Sequence, residues 1–365
     1  MTEFSRRTFF GGAAAAAAGL TAGAVTGGKA SAAVNPQLSP GTSELPEVWG
    51  GDHLRQWSPP SDYKRNLTPG TANIRLSSQI TPRLTSEEGQ DWNALFKHHH
   101  DLGWTAIEAG SAGWINRKFS DTEVREIKNA LKANDVVFYN IHCAGNIIAP
   151  DPDAEHWQRH IIDVIHSAEE FGCPLILTHV GSMYPSRDWA HPLNWSKEAW
   201  TRSVNALKRI CRDTAGSKVK IAIEPVNTEA LNNPWAQKAL REDVGDDRIC
   251  SGLDITNMVH AGVAFRMSEY TDIVFDVLQD QIHYVHAKDF VWNEMLPGLN
   301  WTLQGTGNMD YELWLARVSR LKGAIGNDIY MLVEFLSEND EYAQAQRNIR
   351  TIAKKVGVNI YGTQG

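Results

Sequence analysis

Polar residues stand at or near the ends of successive apolar runs along the 365-residue chain: Glu108, His142, His179, Glu224, Asp254, His286 and Glu334. Neighbours in this series are separated by about the length of one strand, one helix and their loops. Three carboxylates and one imidazole suit Mn2+, Mg2+ or Co2+ and also accept Zn2+, and the last four members supply them: Glu224, Asp254, His286 and Glu334. The sequence therefore predicts a divalent-metal site at these four residues, with Mn2+ as the favoured ion.

A divalent ion flanked by two glutamates suits the removal of a proton from a carbon next to a carbonyl. The ion stabilises the resulting enediolate, one carboxylate takes the proton, and a second returns it on another carbon or another face. Glu334 and Glu224 are the predicted base and acid. His142 and His179 are assigned to donating protons or hydrogen bonds to the substrate, with simple packing as the alternative, and Glu108 is assigned to substrate binding.

The elements that must position these residues follow a regular alternation. Short apolar runs cover residues 74–80, 104–110, 136–143, 174–181, 220–226, 248–255, 282–290 and 329–335. Helical periodicity is clearest over 121–133, and over 196–212 with Ser196 as the N-cap. Eight strand–helix units predict a (β/α)8 TIM barrel, in which active sites lie at the carboxyl ends of the strands. A doubly wound open sheet is disfavoured because no G-x-G-x-x-G segment follows a run.

The two-residue period of a strand predicts which side chains point into this barrel. The side shared with the predicted metal ligands carries Ala222, Cys250, Gly252, Tyr284, Tyr330 and Leu332. The opposite side, which is expected to pack against the helices, carries Ile221, Ile223, Ile249, Leu253, Val333 and Phe335. We therefore expect the ligands to point inward.

Residues 1–32 have the pattern of a twin-arginine export signal. Arg6 and Arg7 precede a run of mostly Ala and Gly, and the segment 30–32 resembles a cleavage site. A transmembrane anchor is the weaker alternative, because the run is poor in Leu, Ile and Val. We therefore expect export to the periplasm or the outside of the cell, without stable membrane insertion after cleavage. The remaining predicted segments are an irregular arm over 33–73, the barrel over 74–358 and a tail over 359–365.

The charge balance of the chain argues against a nucleic-acid partner. Lys and Arg total 35 against 43 Asp and Glu, which gives a formal net charge of -8, whereas binding to nucleic acid requires a basic surface. The cysteines have no metal-ligand spacing and are predicted to be buried free thiols: Cys143, Cys173, Cys211 and Cys250. The sequence leaves a homo-oligomer open.

Five segments resemble motifs of the xylose-isomerase-like barrel superfamily of sugar isomerases and epimerases. They are IEPVN at Glu224, GLDITN at Asp254, HAKD at His286, QGTGNMDY at 304–311 and VEF at Glu334. The resemblance implies a metal held by the four predicted ligands and a small carbohydrate as substrate. The acidic loop at 337–341 disfavours a phosphorylated sugar.

The chain departs from the epimerases of that superfamily at two places. Asn257 stands where many of them have a His three residues after the Asp ligand, and no Arg shortly follows His286. Asn257 is assigned to substrate binding, and Lys288 is the candidate cation in place of the Arg. These departures keep open a β-eliminating lyase or dehydratase acting on a keto-sugar or 3-keto-glycoside. A non-catalytic exported sugar-binding barrel is a further alternative.

The chain contains 13 Trp, more than its 9 Tyr or its 11 Phe. Trp235, Trp292 and Trp301 follow predicted strands and are assigned to stacking on a sugar substrate. Asp289, beside Lys288, is assigned to substrate contact or to support of the site, with a helix cap as the alternative.

Two further segments have simpler interpretations. The segment 305–307, Gly-Thr-Gly, is predicted to be a loop leading to a helix capped by Asp310, and the run 98–100 of three His is predicted to be a solvated helix face.

Overall fold

The computed structural model describes residues 63–78, 90–111, 119–187, 189–278, 280–293, 298–322 and 326–362. The predicted export signal and most of the predicted arm lie outside these residues. The strands are β1 (Asn73–Ser78), β2 (Ala106–Gly110), β3 (Val137–Cys143), β4 (Leu175–Thr178), β5 (Lys220–Ile223), β6 (Ile249–Leu253), β7 (Ile282–Ala287), β8 (Asp289–Asn293), β9 (Gly298–Thr302) and β10 (Asp328–Val333). The helices are α1 (Trp92–Asp101), α2 (Asp121–Ala133), α3 (Asp153–Phe171), α4 (Lys197–Asp213), α5 (Pro234–Val244), α6 (Ala261–Ala264), α7 (Met267–Leu278), α8 (Tyr311–Val318) and α9 (Asn339–Val356).

Eight parallel strands form one sheet in the order β1-β10-β7-β6-β5-β4-β3-β2. β1 pairs with β10 along its whole length, from Asn73 opposite Asp328 to Ser78 opposite Val333. The two end strands of the sheet approach each other, because the N–H of Thr105, just before β2, donates to the carbonyl of Leu76 at 3.0 Å. The sheet thus nearly closes on itself, which confirms the predicted (β/α)8 TIM barrel.

The barrel interior is filled by a separate cluster of buried side chains: Ala106, Tyr139, Leu175, Leu177, Ala222, Cys250, Tyr284, Tyr330 and Leu332. Tyr139 and Tyr330 stack across it with ring centroids 4.6 Å apart. The predicted inward positions are therefore correct, and Ile221, Ile249 and Leu253 pack on the outer side as expected. Phe335 is the exception to the predicted outer set. Its backbone takes a φ of 62° and its ring is 45% exposed.

The helix starts follow from local capping. The Ser120 side chain accepts from the N–H of Glu123, and the Glu123 carboxylate accepts from the N–H of Ser120, which forms a capping box before α2. Ser196 caps α4 by accepting from the N–H of Ala199 at 3.2 Å. Asp310 caps α8, as predicted. The helices expected over 121–133 and 196–212 are thus confirmed.

The predicted solvated face at 98–100 is wrong for its middle residue. His99 is fully buried, and its Nε2–H donates to the carbonyl of Ala106 at 2.9 Å. Burial lowers the pKa of His99 to about 4, so this side chain is neutral at ordinary pH. It anchors α1 to β2.

A hairpin that the sequence did not predict leaves the barrel directly after β7. Its strands β8 and β9 are antiparallel, with Phe290 opposite Trp301 and Trp292 opposite Leu299. The hairpin places two tryptophans above the carboxyl ends of the barrel strands. The four cysteines are buried free thiols, as predicted. Among the described helices, none has the length and apolar character needed to cross a membrane.

Candidate metal centre and active site

The four predicted ligands are supplied by four consecutive strands of the sheet, β5, β6, β7 and β10. Glu224 and Asp254 directly follow β5 and β6, and Glu334 directly follows β10. His286 is the next-to-last residue of β7. Because parallel neighbouring strands end at one edge, these side chains converge. Each is buried, and each offers a ligand atom within 4.8 Å of the others. The structure thus brings all four together.

One imidazole nitrogen faces all three carboxylates. His286 Nδ1 lies 2.6 Å from Glu334 Oε1, 3.4 Å from Asp254 Oδ2 and 3.5 Å from Glu224 Oε1. Three buried carboxylates together require compensation by cations. Lys288 supplies one positive charge. Burial would lower the pKa of His286, but Glu334, Glu224 and Asp254 raise it well above its ordinary value, so the cluster still attracts a further positive charge. This donor set of three oxygens and one nitrogen therefore fits a divalent cation.

The Asp254 carboxylate is oriented by the short 3-10 turn Thr256–Met258 that follows it. Its Oδ1 accepts from the Thr256 N–H at 3.0 Å, the Thr256 hydroxyl at 2.6 Å and the Asn257 N–H at 3.2 Å. Oδ2 is thereby turned toward His286. The Asn257 amide donates to Glu224 Oε1 at 2.7 Å. Asn257, predicted to bind substrate, thus contacts two of the candidate ligands.

Lys288 lies within the same cluster and is buried. Its Nζ contacts Asp254 Oδ2, lies 2.7 Å from Glu334 Oε1, and donates to Asn257 Oδ1 at 3.3 Å. Burial alone would lower the pKa of Lys288, but Asp254, Glu334 and Glu224 raise it above its ordinary value. Lys288 is therefore a fixed ammonium beside the ligands.

The same neighbours affect the pKa values of the three carboxylates differently. Burial would raise all three pKa values, but Lys288 and His286 lower that of Asp254, and His286 and Lys288 lower that of Glu334. For Glu224 the effect of burial prevails and its pKa is raised. The two glutamates thus differ in proton affinity.

A second polar group adjoins Glu224 on the side of β3 and β4. His142, His179 and Glu224 also offer ligand atoms within 4.8 Å of one another. His179 lies between two carboxylates, with Nε2 at 3.3 Å from Glu224 Oε2 and Nδ1 at 3.4 Å from Glu229 Oε1. Burial, followed by the charges of Arg187 and His142, lowers the pKa of His179 well below its ordinary value.

Glu229 is a candidate functional residue that the sequence analysis missed. It is fully buried, and its Oε2 accepts from the N–H of Gly181 at 2.8 Å. The residue lies in the loop after β5, away from any strand end, so no periodicity marks it. Its five-residue separation from Glu224 within the segment EPVNTE was the available signal.

Glu108 lies lower in the barrel, against the interior side chains. Its Oε2 accepts from the Tyr284 hydroxyl at 2.8 Å and from the Asn140 amide, and its Oε1 lies 3.5 Å from His142 Nδ1. Burial would raise the pKa of Glu108, but the hydrogen bond and charge of His142 lower it. The carboxylate that was predicted to bind substrate therefore contacts His142 and the barrel interior.

The Asp289 carboxylate does not point toward the ligand cluster. It accepts from five backbone N–H groups at 2.8 to 3.1 Å, those of Phe290, Gly305, Thr306, Gly307 and Met309. We call this loop, residues 304–309, the cradle. A Cβ on Gly307 would lie 2.4 Å from Asp289 Oδ1 and 2.3 Å from the Phe290 carbonyl, so this position requires glycine. The Gly-Thr-Gly segment, predicted to be a loop before α8, thus encloses the protein's own carboxylate.

The cradle also supports Glu334. The side-chain amide of Gln304 donates to the carbonyl of Ala287 at 2.8 Å and to the carbonyl of Glu334 at 3.1 Å. It therefore joins the ends of β7 and β10, which carry two of the candidate ligands.

The three tryptophans assigned to substrate stacking lie in different settings. Trp301, in β9, is 37% exposed and contacts the Phe335 ring. Trp292, in β8, is half-buried and meets Phe265 edge-on, with centroids 6.3 Å apart. Trp235 is half-buried in the first turn of α5. The Trp301 ring lies near Lys288, with its centroid 5.6 Å from Nζ.

Comparison with solved structures shows the same fold in several enzymes. A probable 3-DHS dehydratase involved in petrobactin synthesis from Bacillus anthracis has a TM-score of 0.58 and 14% identity, over 77% of this chain and 98% of that chain. The 3-keto-D-glucoside 4-epimerase from E. coli has a TM-score of 0.55 and 14% identity, over 77% and 100%. A xylose isomerase-like TIM barrel protein from Mycobacterium smegmatis, in complex with magnesium, has a TM-score of 0.55 and 12% identity, over 78% and 97%.

At these identities the likeness shows the fold alone. No curated protein matches the sequence significantly. Residues 96–355 match the family described as xylose isomerase-like TIM barrel. This match covers most of the chain, and the chain therefore belongs to the xylose isomerase-like TIM barrel family.

Proposed function

We propose that the protein is a divalent-metal-dependent enzyme of the sugar isomerase or epimerase type, which removes a proton next to a carbonyl of an unphosphorylated sugar or sugar derivative. The observation that carries this proposal is the buried set of three carboxylates around His286 Nδ1, with Lys288 inside it. A structural neighbour that acts on a 3-keto-glucoside supports a carbohydrate substrate.

Glu224, Asp254, His286 and Glu334 would hold the ion, for which we propose Mn2+, with Mg2+, Co2+ or Zn2+ as alternatives. A neighbour of the same fold in complex with magnesium supports a divalent metal. When bound, such an ion polarises the substrate carbonyl and stabilises the negative charge that develops after proton removal.

The protein's own groups would perform the proton transfers. Glu334 would take the proton and Glu224 would return it, since these two carboxylates flank the cluster from β10 and β5. Lys288, fixed at 2.7 Å from Glu334 Oε1, would donate a hydrogen bond to a substrate oxygen and keep Glu334 in position. His179, held between Glu224 and Glu229, would contact a substrate hydroxyl.

β-Elimination is the second candidate, because one observation favours it. His142 and His179 stand beside Glu224 on the side away from Lys288, with ring centroids 5.8 Å apart. A histidine in that position could protonate a leaving hydroxyl or aglycone after the same first proton removal. A neighbour described as a dehydratase has the same fold.

Isotope exchange tests the proposal. The protein loaded with Mn2+ would be incubated in heavy water with D-fructose, D-tagatose and methyl 3-keto-β-D-glucopyranoside, and deuterium next to the carbonyl would be measured by NMR. We expect exchange in at least one substrate, its loss on chelation, and a decrease of at least about 100-fold in Glu334→Gln. The exposed pair partner Glu198 provides the control, and Glu198→Gln should exchange normally.

Product analysis in the same experiment separates the alternatives. Release of methanol from the keto-glycoside would favour β-elimination over epimerisation. Binding of the sugars without exchange at any metal loading would instead identify a sugar-binding barrel and contradict the proposed enzyme. We also propose that the protein is exported by the twin-arginine route, which fractionation of cells expressing the full chain and an Arg6→Lys, Arg7→Lys variant would test.

A further inference from the structure

Two aromatic rings stand beside the candidate metal centre without belonging to the ligand set. Phe335 directly follows Glu334, and its ring centroid lies 5.0 Å from that of Trp301. Lys288 Nζ lies 4.1 Å from the Phe335 centroid, while the same ammonium lies 2.7 Å from Glu334 Oε1. We call Phe335 and Trp301 the aromatic wall. The side chain of Lys288 thus contacts both the aromatic wall and the candidate base Glu334.

The backbone of Phe335 shows that the wall is not ordinary core packing. Its φ of 62° lies in the left-handed region, which is unfavourable for a bulky side chain. Burial does not compensate for this conformation, because the ring is 45% exposed. Strand alternation would have directed Phe335 toward the helices, whereas the left-handed turn directs it to Lys288 and Trp301. Strained residues of this kind cluster at ligand-binding sites.

We infer that the aromatic wall packs against the C–H face of a sugar ring, so that the substrate is a cyclic keto-sugar or keto-glycoside and not an open-chain ketose. This inference rests on the proposed function, whose site the wall adjoins. A pyranose ring has a broad face of C–H groups that packs on an aromatic ring. An extended open-chain ketose presents hydroxyls along both sides and gains less from the same surface.

The position of the wall agrees with the direction of the chemistry. A ring packed on the aromatic wall would lie next to Lys288, whose Nζ lies over the Phe335 ring and 2.7 Å from Glu334 Oε1. A C–H bond next to a ring carbonyl would then face the candidate base. Leu102, which is 54% exposed and lies between the end of α1 and the start of β2, is at the amino end of the barrel strands and provides an exposed apolar control.

Steady-state kinetics of four Mn2+-loaded proteins test the inference: wild type, Phe335→Gly, Trp301→Ala and the control Leu102→Ala. Exchange in heavy water would be measured with methyl 3-keto-β-D-glucopyranoside and with D-fructose, together with the melting temperature of each protein. We expect wild type to prefer the glycoside. The wall variants should raise its KM about tenfold and change kcat by less than about twofold, and Leu102→Ala should match wild type.

The melting temperature distinguishes a binding role from a structural one. Glycine adopts a φ of 62° without penalty, so Phe335→Gly should melt at or above the wild-type temperature. A lower melting temperature with unchanged KM would overturn the inference, as would a preference of wild type for D-fructose.

A failure of the proposed reaction would be recognised separately. If wild type exchanges neither substrate, calorimetric binding of methyl β-D-glucopyranoside decides the role of the wall. Binding that weakens about tenfold in Phe335→Gly would retain the wall as a sugar site without the proposed reaction. Equal affinity in the two proteins, or no binding to wild type, would overturn the inference.

Discussion

Asp254 and Asp289 are both buried aspartates at the carboxyl end of the barrel, but their carboxylates have different partners. Both oxygens of Asp289 accept backbone N–H groups of the cradle and of Phe290. Asp254 uses only Oδ1 in this way and directs Oδ2 to His286 and Lys288. Burial and position in the fold are therefore shared by the two residues, and the partners of each oxygen separate a structural role from a chemical one.

The two environments also have opposite effects on ionisation. Burial raises the pKa of Asp289, and its backbone hydrogen bonds only partly oppose that effect. Burial acts on Asp254 as well, but Lys288 and His286 reverse it and lower the pKa. A charged partner thus has more influence on a buried carboxylate than several neutral donors.

The largest effect is expected for Asp254→Asn. The amide keeps the shape of the side chain but removes one of the three negative charges, so Mn2+ should be lost and exchange should decrease by about three orders of magnitude. The metal-free variant should also melt at a lower temperature than metal-free wild type, because the new amide N–H2 group would face the Lys288 ammonium in place of Oδ2, although the Thr256 turn keeps its acceptor. Metal analysis and calorimetry measure both quantities. Full metal content in this variant would contradict the chemical role that the comparison gives to Asp254.

Asp289→Asn should lower the stability of the protein and leave its metal content unchanged. The new amide N–H2 group would face backbone donors of the cradle, which should lower the free energy of unfolding by about 3 kcal/mol and the melting temperature by about 5–10 °C. Metal content per folded protein should be unchanged. The exposed Asp340 serves as control, since Asp340→Asn should melt like wild type. Loss of metal without loss of stability would assign Asp289 to the centre.

Gly307→Ala tests the structural role of Asp289 by changing the cradle backbone around its carboxylate. The added methyl would lie 2.4 Å from Asp289 Oδ1 and must displace either the carboxylate or the Phe290 carbonyl. We expect a loss of about 2 kcal/mol in the free energy of unfolding, measured by urea denaturation. Gly110→Ala is the matched control because nothing lies within 4 Å of its Cβ position. Equal stability of the two variants would show that the cradle is loosely packed.

Glu229→Gln tests whether the partners of each carboxylate oxygen also distinguish a chemical from a structural role in a glutamate. Glu229 resembles Asp254, with one oxygen on the Gly181 N–H and the other facing His179. Removing its charge should misorient His179 and lower kcat about tenfold, with metal content and melting temperature close to wild type. Glu242→Gln, on the exposed side of α5, should leave kcat unchanged. A large loss of stability would instead give Glu229 a structural role like that of Asp289.

Much of the fold could be predicted from the sequence because a parallel barrel repeats one simple pattern. Each apolar run over 220–226, 248–255 and 329–335 contains one barrel strand, and the polar residue after it necessarily lies at the common edge. The convergence of Glu224, Asp254 and Glu334 follows from this topology. The β8–β9 hairpin escaped prediction because its first strand continues the apolar run of β7.

The remaining differences have local physical causes. His99 was predicted to be exposed with its neighbours, but successive residues of a helix are rotated by about 100°, so His98, His99 and His100 cannot share one face. Phe335 was predicted to face outward by strand alternation, which a left-handed backbone interrupts. Glu229 and the partners of Asp289 depend on how loops fold back, and no periodic pattern encodes such contacts.

The pairing of β1 with β10 has a consequence for the time at which the protein can fold during synthesis. Asn73 and its partner Asp328 lie at opposite ends of the described chain, and β1 also receives the C-terminal segment through Tyr361, whose N–H donates to Ile74. All residues through β10 must leave the ribosome before β1 obtains its ladder partner. Barrel closure therefore waits for the synthesis of β10, and a nascent chain stalled before β10 should expose the edge of β1 to chaperones.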